Sequence, residues 1–229
     1  GTVGCFEAAA AVATILGCNR EHFMHALATV GTFASGLQQA FRSQAMTKPL
    51  HGGHAADAGA MAAMAAVKGV TGALDILEGE VGFGAAMSVK PDWSKATRGL
   101  GTDYHIVHMT FKNHGCCGHT FPSIDGALAL KQEHNLTHHD IRKIRLASYK
   151  AGMDIIDNAA PEGEYQAKFS VQYTVAHALV HGSVRLNAFL PERLADPDVR
   201  ALLKKIEAVA DPELSKGYPT QRAAHVEIE

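Results

Sequence analysis

Thr47-Lys48-Pro49-Leu50-His51-Gly52-Gly53-His54-Ala55-Ala56 runs without a break into Asp57-Ala58-Gly59-Ala60-Met61-Ala62-Ala63-Met64-Ala65-Ala66-Val67-Lys68. Residues 55–68 are Ala and Met with almost no bulky side chain, a composition that forms helix readily and lets helices approach closely. The stretch therefore predicts a densely packed all-helical domain. Working outward, residues 69–71 break the helix, 72–77 resume it and 79–84 form a loop. Upstream, residues 6–16 carry small apolar side chains on every face, which predicts a helix buried on most sides, with Gly17 as its stop. Residues 21–34 read as a more amphipathic helix with Phe23, Ala26, Leu27 and Val30 on one stripe. The chain from 41 to 49 is polar, and Pro49 forbids a helix running through it.

After about residue 100 the texture changes. Residues 104–112 alternate Ile106, His108 and Thr110 against Val107, Met109 and Phe111, which predicts a strand with one apolar face. A helix is expected over 123–134, a second strand over 141–151, and helices over 170–181 and 191–208, the latter entered through Pro191 and Glu192. A third strand is expected over 222–229. Strands separated by helices make an α/β layer. The fold class is thus α+β and mainly helical: an all-helical domain over 1–100 packed against a smaller α/β domain over 101–229. No internal repeat or low-complexity linker marks the boundary, only the shift in composition. Residue 1 is Gly and residues 223–229 stop as a β-run with no turn after them, so the chain reads as cut at both ends.

Apolar residues make up 47% of the 229, charged residues 19%, and the net charge is −2. A disordered chain would be poorer in apolar residues and more strongly charged. No Lys/Arg cluster stands out, which argues against a nucleic-acid surface and for a small molecule or a second copy as partner. Cys116 and Cys117 are adjacent and cannot easily close on each other, and with Cys5 and Cys18 they make no disulfide framework, so a reducing cytoplasm is expected. Residues 8–16 follow Glu7 with no basic segment before them and are too short to span a membrane.

Two segments can carry chemistry. In residues 47–56 a Lys, two His and two Gly precede a nearly uncharged helix, and the positive end of that helix favours an anion beside Lys48. Read without function, His51 and His54 simply cap and solvate the turn. In residues 111–123, Lys112, His114 and His119 offer a cation and two groups that titrate near neutrality, while Gly115 and Gly118 allow close approach of a ligand. The plain alternative is an ordinary Gly-rich connection around a buried Cys pair. A metal is not expected. Cys116 and Cys117 are adjacent, His105 and His108 would point to opposite faces of a strand, and only His177 and His181 would share a helical face, with no HExxH beside them. No GxSxG elbow, Walker loop or GxGxxG after a strand is present, so no nucleotide cofactor is expected.

These segments together resemble the MmgE/PrpD family of 2-methylcitrate dehydratases and cis-aconitate decarboxylases. Residues 2–17 match the family's Gly/Ala-rich helix and its turn. Ser35-Gly36-Leu37, Phe41, Thr47-Lys48-Pro49-Leu50-His51, Ala55-Ala56, Gly59, Gly69-Val70-Thr71-Gly72 and Ile76-Leu77-Glu78-Gly79 follow in the family's order. Lys112, Cys116-Cys117, Ile124-Asp125 and Leu128 match the next segment. Ala167-Lys168-Phe169-Ser170-Val171-Gln172-Tyr173 opens the last, which continues to Val199 and Ile206. The resemblance implies a helical domain joined to a smaller α/β lid, a homodimer, and a di- or tricarboxylate held in the cleft between the domains. It implies dehydration, decarboxylation or epimerisation with no metal, iron–sulfur cluster or other cofactor, and it carries cleft roles onto Lys48 and Lys112. Two departures qualify the transfer: further acid and base residues of the family would precede residue 1, and many members have a His where Phe121 stands.

Abstracting a proton beside a carboxylate builds a dianionic, enolate-like transition state that fixed cations and His donors stabilise. Lys48 and Lys112 are accordingly expected to bind and neutralise carboxylates, His51 or His119 to move protons, and His54 and Cys117 to add substrate contacts. The competing readings are an epimerase or isomerase of an imino- or hydroxydicarboxylate in the same family, a catalytically incomplete structural piece, and a metal hydrolase.

Overall fold

The computed structural model describes residues 1–41 and 45–229; for Gln38 and Phe41 it describes the backbone alone. The side chain of Phe41, part of the quoted family pattern, and positions 42–44 of the polar stretch 41–49 lie outside the described residues. The described residues are mainly helical with one three-stranded sheet. They form two compact units, Gly1–Met109 and Thr110–Glu229.

The first unit is built on α1 (Gly4–Ile15), α2 (Arg20–Gly31) and α3 (Leu50–Val67). Its buried side chains are small: Ala9 and Ala13 from α1, Ala26 and Val30 from α2, and Ala55, Ala58, Ala62, Ala63 and Ala66 from α3. With so little side chain between them the backbones nearly touch. A methyl group on Gly59 would lie 2.5 Å from the Cβ of Ala8 and 2.7 Å from the carbonyl oxygen of Cys5. Gly17, at φ +65°, turns the chain out of α1, and the Asn19 side chain caps α2 by accepting a 2.8 Å hydrogen bond from the His22 amide.

Helix α3 starts five residues before the expected Ala55. Pro49 is its N-cap, because a ring that cannot continue a helix can still begin one. His51 and His54 therefore sit within the helix rather than in a turn before it. The expected helix over 72–77 is instead a turn: Gly72 presses against α2, where a Cβ would meet the Thr29 nitrogen at 2.6 Å, and its amide donates to Nδ1 of His25. A short helix, α4 (Phe83–Met87), begins inside the expected loop, and Phe83 meets Phe6 edge to face at 5.2 Å. Trp93, the only tryptophan, opens the 3₁₀ turn Trp93–Lys95. The predicted strand over 104–112 is a 3₁₀ turn at His105–His108 flanked by irregular chain, with Ile106, Val107, Met109 and Phe111 exposed. Period-two alternation requires a neighbouring strand before it becomes a strand, and the sheet's three strands all lie later in the chain.

The second unit contains α5 (Phe121–Glu133), β1 (Ile144–Ser148), α6 (Lys150–Ile156), α7 (Glu164–Ala167), α8 (Val171–His181), α9 (Pro191–Leu194), α10 (Pro197–Leu203), β2 (Ile206–Ala210), α11 (Pro212–Gly217) and β3 (Ala224–Ile228). The sheet order is β2-β1-β3, with β1 parallel to β2 and antiparallel to β3 and Ile144 level with both Ile206 and Ile228. The predicted 141–151 strand is the shorter β1, since Lys150 already opens α6. The predicted helix over 191–208 divides into α9, α10 and the unforeseen strand β2. Asp196 restarts the helix at Pro197 by accepting from the amides of Asp198 and Val199, and residues 206–210 leave it to pair with β1.

Helix α8 is the centre of this unit. Val171 to Leu179 are buried at every position, Ser170 caps the start by accepting from the Tyr173 amide, and Gly182 at φ +79° ends it. It packs against α5 and α10, among Ile124, Ile144, Leu146, Ile156 and Phe189. Each fully buried Val or Leu here contributes about 1.5–3 kcal/mol. His177 is buried in the same helix. Its Nδ1 is 2.9 Å from the Ser183 carbonyl, to which it donates, and its Nε2 has no hydrogen-bond partner among the described residues. Burial, helped by His181 at 4.6 Å between ring centres, pushes its pKa down to about 4.

Two outcomes follow. Gly59→Ala should destabilise the chain by about 1–3 kcal/mol, because the added methyl overpacks a backbone contact; urea denaturation measures it, and an unchanged midpoint contradicts this packing. For His177 the unfolded chain takes up a proton near pH 6.5 that the folded chain refuses until about pH 4. Stability is therefore greatest above pH 6.5 and falls by up to about 2 kcal/mol as the pH drops from 7.5 to 5. His177→Asn should flatten that part of the pH profile of the urea midpoint.

Candidate active site

The segment from Lys112 to Thr120 has little regular structure and is fastened at intervals to its unit. The Gly115 amide donates to the Val184 carbonyl and the Cys117 amide to the Lys168 carbonyl, each at 2.9 Å. Gly115 lies so close to the following segment that a Cβ would sit 3.1 Å from the Arg185 carbonyl carbon, which is why glycine stands there. The Arg185 guanidinium donates to the Asn113 carbonyl at 2.5 Å, and the Lys112 ammonium to the Cys116 carbonyl at 3.2 Å.

Between these two strips of chain lies a cleft of about 750 Å³, lined by Lys112 through Cys116 on one side and by Ser183, Arg185, Leu186 and Asn187 on the other. That volume suits a small metabolite. Among the described residues its lining holds two cations, Lys112 and Arg185, and one imidazole, His114, with no Asp or Glu. Each cation spends one N–H on a backbone carbonyl and keeps further donors: an ammonium has three and a guanidinium five. Such a lining favours an anion with several oxygens.

His114 is buried, with its Nε2 2.8 Å from the Oδ1 of Asp125 and its ring edge to face with Phe121 at 5.1 Å. The carboxylate keeps the ring proton at Nε2, and Nδ1 is a buried acceptor with no partner among the described residues. Cys116 and Cys117 are both buried. The Thr120 hydroxyl donates to the Cys117 carbonyl at 2.7 Å, which leaves its oxygen to accept from the Cys116 thiol at 3.1 Å. Burial pushes the Cys116 pKa up to about 11. His119 stands on the 3₁₀ turn Gly118–Thr120, with Nδ1 2.6 Å from the Tyr149 hydroxyl.

The sequence-named residues thus divide. Lys112, Cys117 and His119 belong to the second unit, where Lys112 lines the cleft and Cys117 and His119 do not. Lys48, His51 and His54 belong to the first unit: Lys48 lies in the turn before α3, half-buried His51 in the first turn of α3 with the Nδ1 of its ring beside Gly36, and exposed His54 one turn further on. Arg185, Tyr149 and the pairing of Asp125 with His114 were not foreseen. Arg185 is a lone cation between two helices, and no local pattern tells that it folds back on Asn113. His177 and His181 do share a helical face, where His181 bonds to Asp196 at 2.9 Å with Arg193 beside it. Among the described residues no group of three or more His, Cys, Asp or Glu is arranged to hold a metal, and no helix is long and apolar enough to cross a membrane.

Comparison with known proteins gives matches along most of the chain. Residues 1–96 match the MmgE/PrpD N-terminal domain and residues 114–229 the MmgE/PrpD C-terminal domain. The human cis-aconitate decarboxylase is 30% identical over 92% of this chain and 44% of its own length. The mouse cis-aconitate decarboxylase is 28% identical over 95% of this chain and 45% of its own. The mitochondrial 2-methylcitrate dehydratase of Yarrowia lipolytica is 35% identical over 36% of this chain and 16% of its own. The chain spans less than half the length of these relatives.

At pH 8 the Cys116 thiol should hold about one-hundredth or less of the thiolate of an ordinary cysteine, given a pKa near 11 against about 8.5. Iodoacetamide followed by peptide mass spectrometry should find half-buried Cys18 modified first and Cys116 modified only on unfolding; rapid labelling of Cys116 in the folded protein contradicts the burial.

Proposed function

The chain belongs to the MmgE/PrpD family, and from that premise we propose that it serves a lyase that removes a proton from the carbon next to a carboxylate of a di- or tricarboxylate. The observation that carries this is the cleft whose lining joins Lys112 and Arg185 and, among the described residues, contains no acidic side chain. The names of the similar proteins, a cis-aconitate decarboxylase and a 2-methylcitrate dehydratase, support a small polycarboxylate as substrate.

In the dehydration form of the reaction, a base takes the proton and the C–H electrons pass toward the adjacent carboxylate, which then carries nearly two negative charges. Those electrons form the carbon–carbon double bond as the neighbouring C–O bond breaks, and an acid protonates the departing hydroxide so that water leaves. Fixed cations oppose the build-up of charge: a unit charge at 4 Å contributes about 4 kcal/mol at an effective dielectric of 20. Lys112 and Arg185 are proposed to hold the reacting carboxylate. On the family resemblance Lys48 serves a second carboxylate, His51 and His119 carry protons, and His54 and Cys117 add substrate contacts. No metal or organic cofactor takes part in this proposal. The protein is further proposed to be a homodimer in the reducing cytoplasm, in keeping with free Cys5, Cys18, Cys116 and Cys117.

The test is proton exchange and product formation followed by NMR with 2-methylcitrate, citrate, cis-aconitate and iminodisuccinate, without added metal. Exchange beside a carboxylate in at least one is expected, and the product separates dehydration, decarboxylation and epimerisation; no exchange with any of the four overturns the proposal. Lys112→Ala should lower kcat by at least about 100-fold, and retained turnover would remove Lys112 from the mechanism.

A further inference from the structure

Tyr149 is fully buried, yet its hydroxyl has a single hydrogen-bond partner among the described residues, Nδ1 of His119 at 2.6 Å. The phenol ring has no freedom to look for another. It stacks on Tyr218 with ring centres 4.8 Å apart and planes 16° from parallel. On another side Gly152 makes room for it, since a Cβ there would lie 2.9 Å from the ring. The chain that carries Tyr149 is equally fixed: it leaves β1 after Ser148, whose hydroxyl donates to the Ala223 carbonyl and whose carbonyl accepts from the Asp211 amide.

A hydrogen bond between a phenol and a neutral imidazole can run in either direction, and the surroundings choose between them. If Nδ1 of His119 carried the ring proton and donated to the tyrosine oxygen, the phenolic O–H would be a buried donor with no acceptor, at a cost of about 1–3 kcal/mol. If the phenol donates to Nδ1, both groups are satisfied by one bond. Burial also keeps the phenol protonated, with its pKa pushed up to about 12 despite Arg222 nearby.

We propose that Tyr149 is a positioning residue that holds the neutral His119 ring with its proton on Nε2, so that His119 enters the reaction as a proton donor. The inference rests on the proton-transfer role given to His119 above and decides its direction. His119 delivers its Nε2 proton to the departing hydroxide so that water leaves, the imidazolate left behind keeping the hydrogen bond from Tyr149 at Nδ1. A different group takes the proton from carbon, and that proton returns to the ring through solvent as the product departs. Tyr149 itself touches no substrate; it acts through the tautomer and the orientation of the imidazole, as the partner of the second ring nitrogen does wherever a histidine must present one particular nitrogen.

The experiment uses the protein labelled with ¹⁵N-histidine at pH 8, with His119 assigned by its loss in His119→Gln, and reads the two-bond ¹⁵N–¹H pattern of the ring. The expected result is a neutral ring protonated at Nε2 whose Nδ1 resonance shows the upfield displacement of a hydrogen-bond acceptor. In Tyr149→Phe that displacement should disappear, and kcat should fall about tenfold with KM changed less than twofold. A proton on Nδ1 in the unaltered protein overturns the proposal without any variant being needed. An Nδ1 resonance that does not respond to Tyr149→Phe also overturns it. If the NMR result is as expected but no carboxylate in the panel exchanges, the hold of Tyr149 on His119 stands, and it is the polycarboxylate reading, with the donor role it gives His119, that falls.

Discussion

A helix with nine consecutive buried residues must be enclosed by its own chain, and α8 imposes that requirement on the second unit. Val171 to Leu179 leave no face for solvent, so neighbours must be found around the whole circumference, and α5 and α10 with the residues flanking the sheet supply them. The candidate site is a by-product of this enclosure. The two carbonyls that fasten the 112–120 segment come from Lys168, just before α8, and Val184, just after it. The segment is thus tied across the two ends of the most buried helix, and the cleft between it and residues 183–187 inherits the rigidity of the core.

The first unit solves a different problem with different material. Its helices bury little but methyl groups, so cohesion depends on the closeness of backbones rather than on the size of side chains. Such packing tolerates loss of volume poorly and gain of volume worse, since neither Ala8 nor the Cys5 carbonyl can withdraw from position 59. The same closeness gives Gly72 its place against α2, where an expected helix yields to a turn.

How much of this could be read from residues alone depended on whether the deciding contact was local. The Ala-rich run and the Ser170 cap before a continuous apolar stretch are local signals, and α3 and α8 were legible from them. Pro49 does stop any helix from running through it, but α3 was begun five residues late because the His and Gly at 51–54 read as turn, although a proline just before them can open a helix. The 104–112 alternation and strand β2 failed in opposite directions for one reason: pairing decides a strand, and partners lie far off in sequence. In the cleft, Lys112 was singled out because glycines and cysteines crowd the segment that follows it. Arg185 and Tyr149 were not, since they reach Asn113 and His119 across 72 and 30 residues.

The placement of the aromatic side chains gives each unit its own optical voice. The lone Trp93 lies in the first unit, whereas the stacked Tyr149 and Tyr218 and the buried Tyr173 lie in the second. Tryptophan fluorescence therefore follows the alanine-packed helices, and the near-ultraviolet dichroism of immobilised tyrosines follows the core around α8. Superimposable melting curves from the two signals would mark a single cooperative transition, and separated curves would mark two folding units that happen to share a chain.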